Sequence, residues 1–122
     1  LELQNNNLNG DLPQVLSGWK VLEELNVSNN ALQGPITTSL GALEKLKFIN
    51  LSFNYFDGEI PVNLIENENL ELLYVHVNIL EGIMPEVYCN RENPLKILFY
   101  GNAICPPYPD CMKYIGKQDC KN

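Results

Sequence analysis

Few side chains in this 122-residue chain could do covalent or redox chemistry. They are one histidine (His76), four cysteines (Cys89, Cys105, Cys111 and Cys120) and two Asn-x-Ser triplets, Asn26-Val27-Ser28 and Asn50-Leu51-Ser52. Nucleophilic catalysis needs a base oriented between a nucleophile and a third group, and His76 has only arbitrary neighbours for those roles. Carboxylates stand side by side at Glu23/Glu24 and Glu66/Glu68. A glycosidase pair, however, works across a cleft, and nothing in the sequence encloses either pair. No Gly-x-Gly-x-x-Gly run opens a helix. The chain reads as non-catalytic, with no cofactor and no metal.

The cysteines speak to compartment. All four lie in the last third, and none forms a Cys-x-x-Cys pair. That disfavours zinc and favours a disulfide-bonded terminal cap in an oxidising environment. The two Asn-x-Ser triplets are acceptor motifs for N-glycosylation at Asn26 and Asn50, which points to the same compartment. The competing reading is that Asn and Ser are ordinary fillers at these positions.

These residues are positioned by a repeat. Asparagine recurs at Asn6, Asn30, Asn54, Asn78 and Asn102, at one unvarying interval, and its surroundings recur with it. The units read Leu1-x-Leu3-x-x-Asn6-x-Leu8-x-Gly10, Leu25-x-Val27-x-x-Asn30-x-Leu32-x-Gly34, Ile49-x-Leu51-x-x-Asn54-x-Phe56-x-Gly58, and Leu73-x-Val75-x-x-Asn78-x-Leu80-x-Gly82. Ile60-Pro61 and Met84-Pro85 follow the later glycines. A fixed period in the range of roughly 20–50 residues marks a solenoid or a comparable array. The apolar alternation before each Asn predicts a short strand with one buried face. The Asn amides are predicted to bond backbone groups of neighbouring coils in an internal ladder. The Gly four places after each of the first four Asn suits a positive φ.

The pattern resembles the plant-type leucine-rich-repeat family over nearly the whole chain. The resemblance implies an α/β solenoid: a right-handed superhelix with a short parallel β-sheet on its concave face and an irregular, 3-10 or helical convex side. It also implies relatives among receptor ectodomains and secreted inhibitors of cell-wall-degrading enzymes. Residues 1–103 are read as the solenoid, about four coils and a fifth strand from the C-terminal part of a longer array. Residues 104–122 are read as a modified last coil and a disulfide-bonded cap.

The register extends into that tail. Tyr108-Pro109 lies one full period beyond Met84-Pro85, and Met112 continues the interior column of Leu16, Leu40, Leu64 and Tyr88. Ile115 is placed with Trp19 and Leu43, where Asn67 and Arg91 are faults. Pro94 interrupts the column of Leu22, Leu46 and Leu70, so an irregular convex side is expected there. The segment Cys105-Pro-Pro-Tyr-Pro-Asp-Cys111 reads as extended at about 3 Å per residue. That would hold its cysteines beyond the roughly 7 Å Cα limit for a bridge. Cys89 and Cys111 fall near one another on stacked coils. The expected pairs are therefore Cys89–Cys111 and Cys105–Cys120.

Outward strand positions are the candidate binding surface. The first coils present Glu2, Gln4, Glu24, Asn26 and Ser28, whereas the later ones present Phe48, Phe53, Tyr74, His76, Leu98 and Tyr100. Exposed aromatic clusters are typical interface anchors. The competing expectation is that Phe53 turns inward and fills the solenoid. Eight basic against fifteen acidic residues give a net charge of −7, which speaks against nucleic acid or an anionic membrane as partner. No apolar run approaches the roughly 20 residues of a membrane span. The expected protein is secreted or extracellular, or the ectodomain of a larger protein, and it recognises a protein, peptide or carbohydrate. The alternative is a structural or adhesive subunit of an extracellular assembly, with self-association.

Overall fold

A computed structural model describes residues 1–13 and 17–120. Leu16, assigned above to an interior column, lies outside the described residues. In chain order the strands are β1 (Asn9–Gly10), β2 (Glu24–Asn26), β3 (Ala31–Pro35), β4 (Phe48–Asn50), β5 (Tyr55–Asp57), β6 (Leu72–Tyr74), β7 (Glu81–Gly82), β8 (Lys96–Leu98) and β9 (Ala103–Ile104). Even-numbered strands form one parallel sheet, β2-β4-β6-β8, with one strand from each coil. Its register steps by one repeat from strand to strand, Glu24 to Phe48 to Leu72 to Lys96. A Glu2–Asn26 bridge extends it at one side. After the turn, the odd-numbered strands pair in a second parallel set, β1-β3-β5 and β7-β9. The return paths are 3-10 turns at Ser17–Trp19, Thr38–Ala42 and Glu86–Asn90 and one α-helical turn, α1 (Val62–Glu66).

The repeated apolar residues fill the inside. Leu25, Ile49 and Leu73, Val27, Leu51 and Val75, and the column Leu40 and Leu64 are all buried. Phe56 and Phe99 are the bulkiest interior residues, each essentially inaccessible to solvent. Each coil is too thin to bury these groups alone, so the core is a row built by stacking.

The asparagines hold adjacent coils together. Asn54 Nδ2 donates to the carbonyls of Leu51 (3.2 Å) and Ser52 (3.2 Å) in its own coil and of Val27 (3.0 Å) in the one before. Its Oδ1 accepts from Leu32 N–H at 3.0 Å. Asn30, Asn78 and Asn102 repeat the same set. Asn6 is exposed and donates within its own coil, to Leu3 and Gln4. The glycine after each turn has positive φ, from +74° at Gly58 to +87° at Gly10.

The convex faults are filled by polar bridges. Arg91 donates to the carbonyls of Ile65 (2.7 Å), Asn67 (2.9 Å) and Leu70 (2.5 Å), in and after the short helix α1 of the preceding coil. Asn67 reaches back to Leu43 O at 3.3 Å. Pro94 is exposed, and the next residue, Leu95, is buried in its stead.

Disulfides join Cys89 to Cys111 and Cys105 to Cys120, with Cα separations of 5.8 and 5.1 Å. The repeat register holds as far as Met112, whose N–H bonds Pro109 O as Tyr88 N–H bonds Pro85 O one coil earlier. It then breaks, and the position of Ile115 is a correction to the sequence reading. Ile115 does not extend the column of Trp19 and Leu43. It takes the strand position of Phe99, because Gln118, well short of a full period after Asn102, is the next rung of the ladder. Gln118 Nε2 donates to Phe99 O (2.9 Å) and Ile115 O (3.3 Å), and Oε1 accepts from Ile104 N–H at 3.1 Å. A parallel bridge pairs Gln118 with Asn102. The last turn is therefore shorter than a full coil.

Candidate functional site

Strand alternation sends Leu25, Ile49, Leu73 and Ile97 inward and leaves their neighbours on the concave face. The cross-strand series there is Glu2, Asn26, Asn50, Tyr74, Leu98, with Glu24, Phe48, Leu72 and Lys96 beside it. A groove of about 310 Å³ runs along its early part, lined by Glu2, Glu24, Asn26, Phe48, Asn50 and Tyr74.

The later part is aromatic and ordered around His76. This residue is only 8% exposed. Its ring stacks on Tyr100, with centroids 4.7 Å apart and planes at 20°. Phe53 and Tyr74 meet it edge-on at 5.4 and 5.6 Å. Burial holds its imidazole below the usual pKa, favouring the neutral ring, and Nδ1 has no hydrogen-bond partner. Lys96 places its ammonium 6.0 Å from the Tyr74 ring centroid, within cation–π reach. Leu98 is half-buried beside Tyr74.

Phe53 does not turn inward. It is 43% exposed, and the interior position is filled by Phe56. The reason lies in the backbone. The residue preceding each ladder Asn is left-handed, with φ of +59° at Asn5, +56° at Asn29, Phe53 and Val77, and +73° at Gly101. Asn and Gly tolerate that region, whereas a bulky or β-branched residue is strained there by about 1–3 kcal/mol. The third and fourth coils thus hold apolar side chains, Phe53 and Val77, where the backbone prefers others. Strain of this kind clusters at working surfaces.

One aromatic residue of this face was missed by the sequence reading. Tyr114, 59% exposed, meets Tyr100 edge-on at 6.4 Å. It is brought there by the shortened last turn, which also places Gly116 against Tyr100. A Cβ at Gly116 would collide with Tyr100 Cβ, so only glycine fits. The cue was Gln118, standing in for Asn and arriving early in the period.

Of the other candidates, Asn26 and Asn50 are half-buried on the concave face, and each Oδ1 accepts from the Ser Oγ two residues on, at 2.7 and 2.6 Å. Glu23, Glu24, Glu66 and Glu68 are exposed. Among the described residues no three metal-ligating side chains gather, and no helix is long and apolar enough to cross a membrane.

Comparison with known proteins adds a family and a set of folds. The leucine-rich-repeat family model matches residues 1–56. Curated proteins give no match. Among solved structures, a TDR receptor aligns at 34% identity with a TM-score of 0.81, over 88% of this chain and 18% of that one. The Arabidopsis receptor kinase HAESA ectodomain, in complex with a peptide hormone ligand, aligns at 38% identity and 0.72, over 88% and 18%. A plant ice-binding protein aligns at 34% and 0.74, over 80% and 31%. The chain spans about a fifth of the two receptors' lengths and about a third of the ice-binding protein's.

Proposed function

We propose that this chain, which belongs to the leucine-rich-repeat family in its plant-type extracellular form, is a non-catalytic recognition module that binds an extended peptide on its concave face. Residues 1–103 supply the solenoid, and residues 104–122 supply the modified last coil and cap. The fold alone does not choose a ligand, since similar folds occur in a peptide-hormone receptor and in an ice-binding protein. The observation that carries the reading is the continuous ring cluster Phe53, Tyr74, His76, Tyr100 and Tyr114, in which Phe53 and Tyr74 meet His76 edge to face, His76 stacks on Tyr100, and Tyr114 meets Tyr100 edge-on. Rigid aromatic side chains give large contact area for little entropy, and an extended peptide laid across such a face is contacted by several coils at once.

The test is selection of peptides from a display library on the wild-type chain, followed by titration against variants. Tyr74→Ala and Tyr100→Ala are expected each to weaken binding by about 30-fold, the size of a central interface anchor. Unchanged affinity in both removes the concave face from consideration. The structural-subunit alternative predicts large assemblies that grow with concentration, whereas a recognition module keeps a constant mass in sedimentation.

A further inference from the structure

Phe48 is a large aromatic residue, 38% exposed on β4, outside the ring cluster around His76. It lies two residues before Asn50 on the same face of the same strand. Asn50 begins the triplet Asn50-Leu51-Ser52. The Asn50 Oδ1 is held by Ser52 N–H (3.1 Å) and Ser52 Oγ (2.6 Å). Asn50 itself is half-buried, and the hydrogen bonds seen at its amide among the described residues all go to Oδ1. Asn50 and Phe48 line one shallow groove, so a group attached to Asn50 lies beside an exposed ring.

We infer that Asn50 carries an N-linked glycan whose first sugar rests on the Phe48 ring, so that the Phe48–Asn50 part of the third coil's concave surface is a glycan platform and not ligand-binding surface. In the transfer step Nδ2 forms a bond to the anomeric carbon of a lipid-diphosphate-linked oligosaccharide. The carbon–oxygen bond to the diphosphate breaks, Nδ2 loses one proton, and the lipid diphosphate leaves. Ser52 is only 2% exposed in the fold, so transfer takes place on the nascent chain, before this coil closes. Once attached, the weakly positive C–H face of the sugar meets the negative face of the phenyl ring. Asn26, the direct cross-strand partner of Asn50, has the same internal hydrogen bonds but carries Glu24 in place of Phe48. Its glycan would lack that support. Phe48 leaves the ligand surface, and the accessible aromatic face contracts to the ring cluster from Phe53 to Tyr114.

The test needs no ligand. The chain is secreted from a eukaryotic cell line, its glycans are removed enzymatically in heavy-oxygen water, and the resulting Asp is located by peptide mass spectrometry. Conversion at Asn50 is expected, and unmodified Asn50 overturns the inference. Hydroxyl-radical labelling then compares the glycosylated protein with Asn50→Gln and with Ser52→Ala, which removes the motif while keeping Asn50. Phe48 is expected to label several-fold more in both variants, with Tyr100 and Tyr114 unchanged. Equal labelling of Phe48 in all three proteins overturns the stacking.

Discussion

Leu1, Leu3 and Leu8 are 46, 37 and 38% exposed, whereas their counterparts three coils on, Leu73, Val75 and Leu80, are fully buried. The residue types are nearly identical, so burial in this fold is conferred by the adjacent coil and not by the consensus. The same holds for the ladder. Among the described residues Asn6 bonds its own coil, while Asn78 also donates to Leu51 O and accepts from Phe56 N–H in the coil before. The last described turn, at the other side of the stack, differs from both. Gln118 repeats the asparagine's bonds from a shortened turn, and two disulfides hold that turn in place.

The comparison can be broken most strongly at the ladder. Asn78→Ala would leave buried carbonyls and an N–H unpaired, and is expected to cost about 3–4 kcal/mol, whereas Asn6→Ala should cost less than about 1 kcal/mol. Urea unfolding midpoints measure both. Equal losses would mean that stacking contributes nothing to the value of a rung. Gln118→Ala comes next, at about 1–2 kcal/mol. It should also raise hydrogen exchange at the Ile104 and Asp119 amides, which face the last rung. Exchange that rises uniformly over the chain would argue against a local seal.

The same rungs also show what could be read from sequence. The Asn period was legible because each interior amide meets the same backbone groups of stacked coils, which keeps residue type and spacing constant through four full coils. The last turn was not legible. Gln offers the same amide on a longer stem, and the turn that carries it is cut short, so a fixed period puts Ile115 in the wrong column and hides Tyr114. Arg91 was visible only as a fault in an apolar column. Its guanidinium bonds three carbonyls of the previous coil, a role that hydrophobic periodicity does not report. The left-handed backbone at Phe53 and Val77 was hidden for a related reason, since the residue types there argue against it.

That strain gives a smaller prediction. Val77→Asn should raise stability by about 0.5–1 kcal/mol by relieving the left-handed strain, while weakening peptide binding. A variant that gains both would separate strain from recognition. The smallest effect concerns pH. Burial lowers the pKa of His76 below its ordinary value of 6.5, so the unfolded chain takes up its proton first on acidification. The stabilisation is present above pH 6.5 and is lost as pH falls towards the depressed folded value. Unfolding followed across this range should show a steeper loss for the wild type than for His76→Gln. Parallel curves would mean that the imidazole is not held neutral by its ring cage.

The most direct measurement uses the tyrosines as internal references. A peptide selected on the wild-type chain is given a benzophenone photo-crosslinker, and its adducts are mapped by mass spectrometry. Adducts should form at Tyr74, Tyr100 and Tyr114 on the concave face, with none at Tyr55, which at 59% is as exposed as Tyr114 but lies on the second set of strands. Adducts at Tyr55 with the three concave tyrosines untouched would contradict recognition by the concave face.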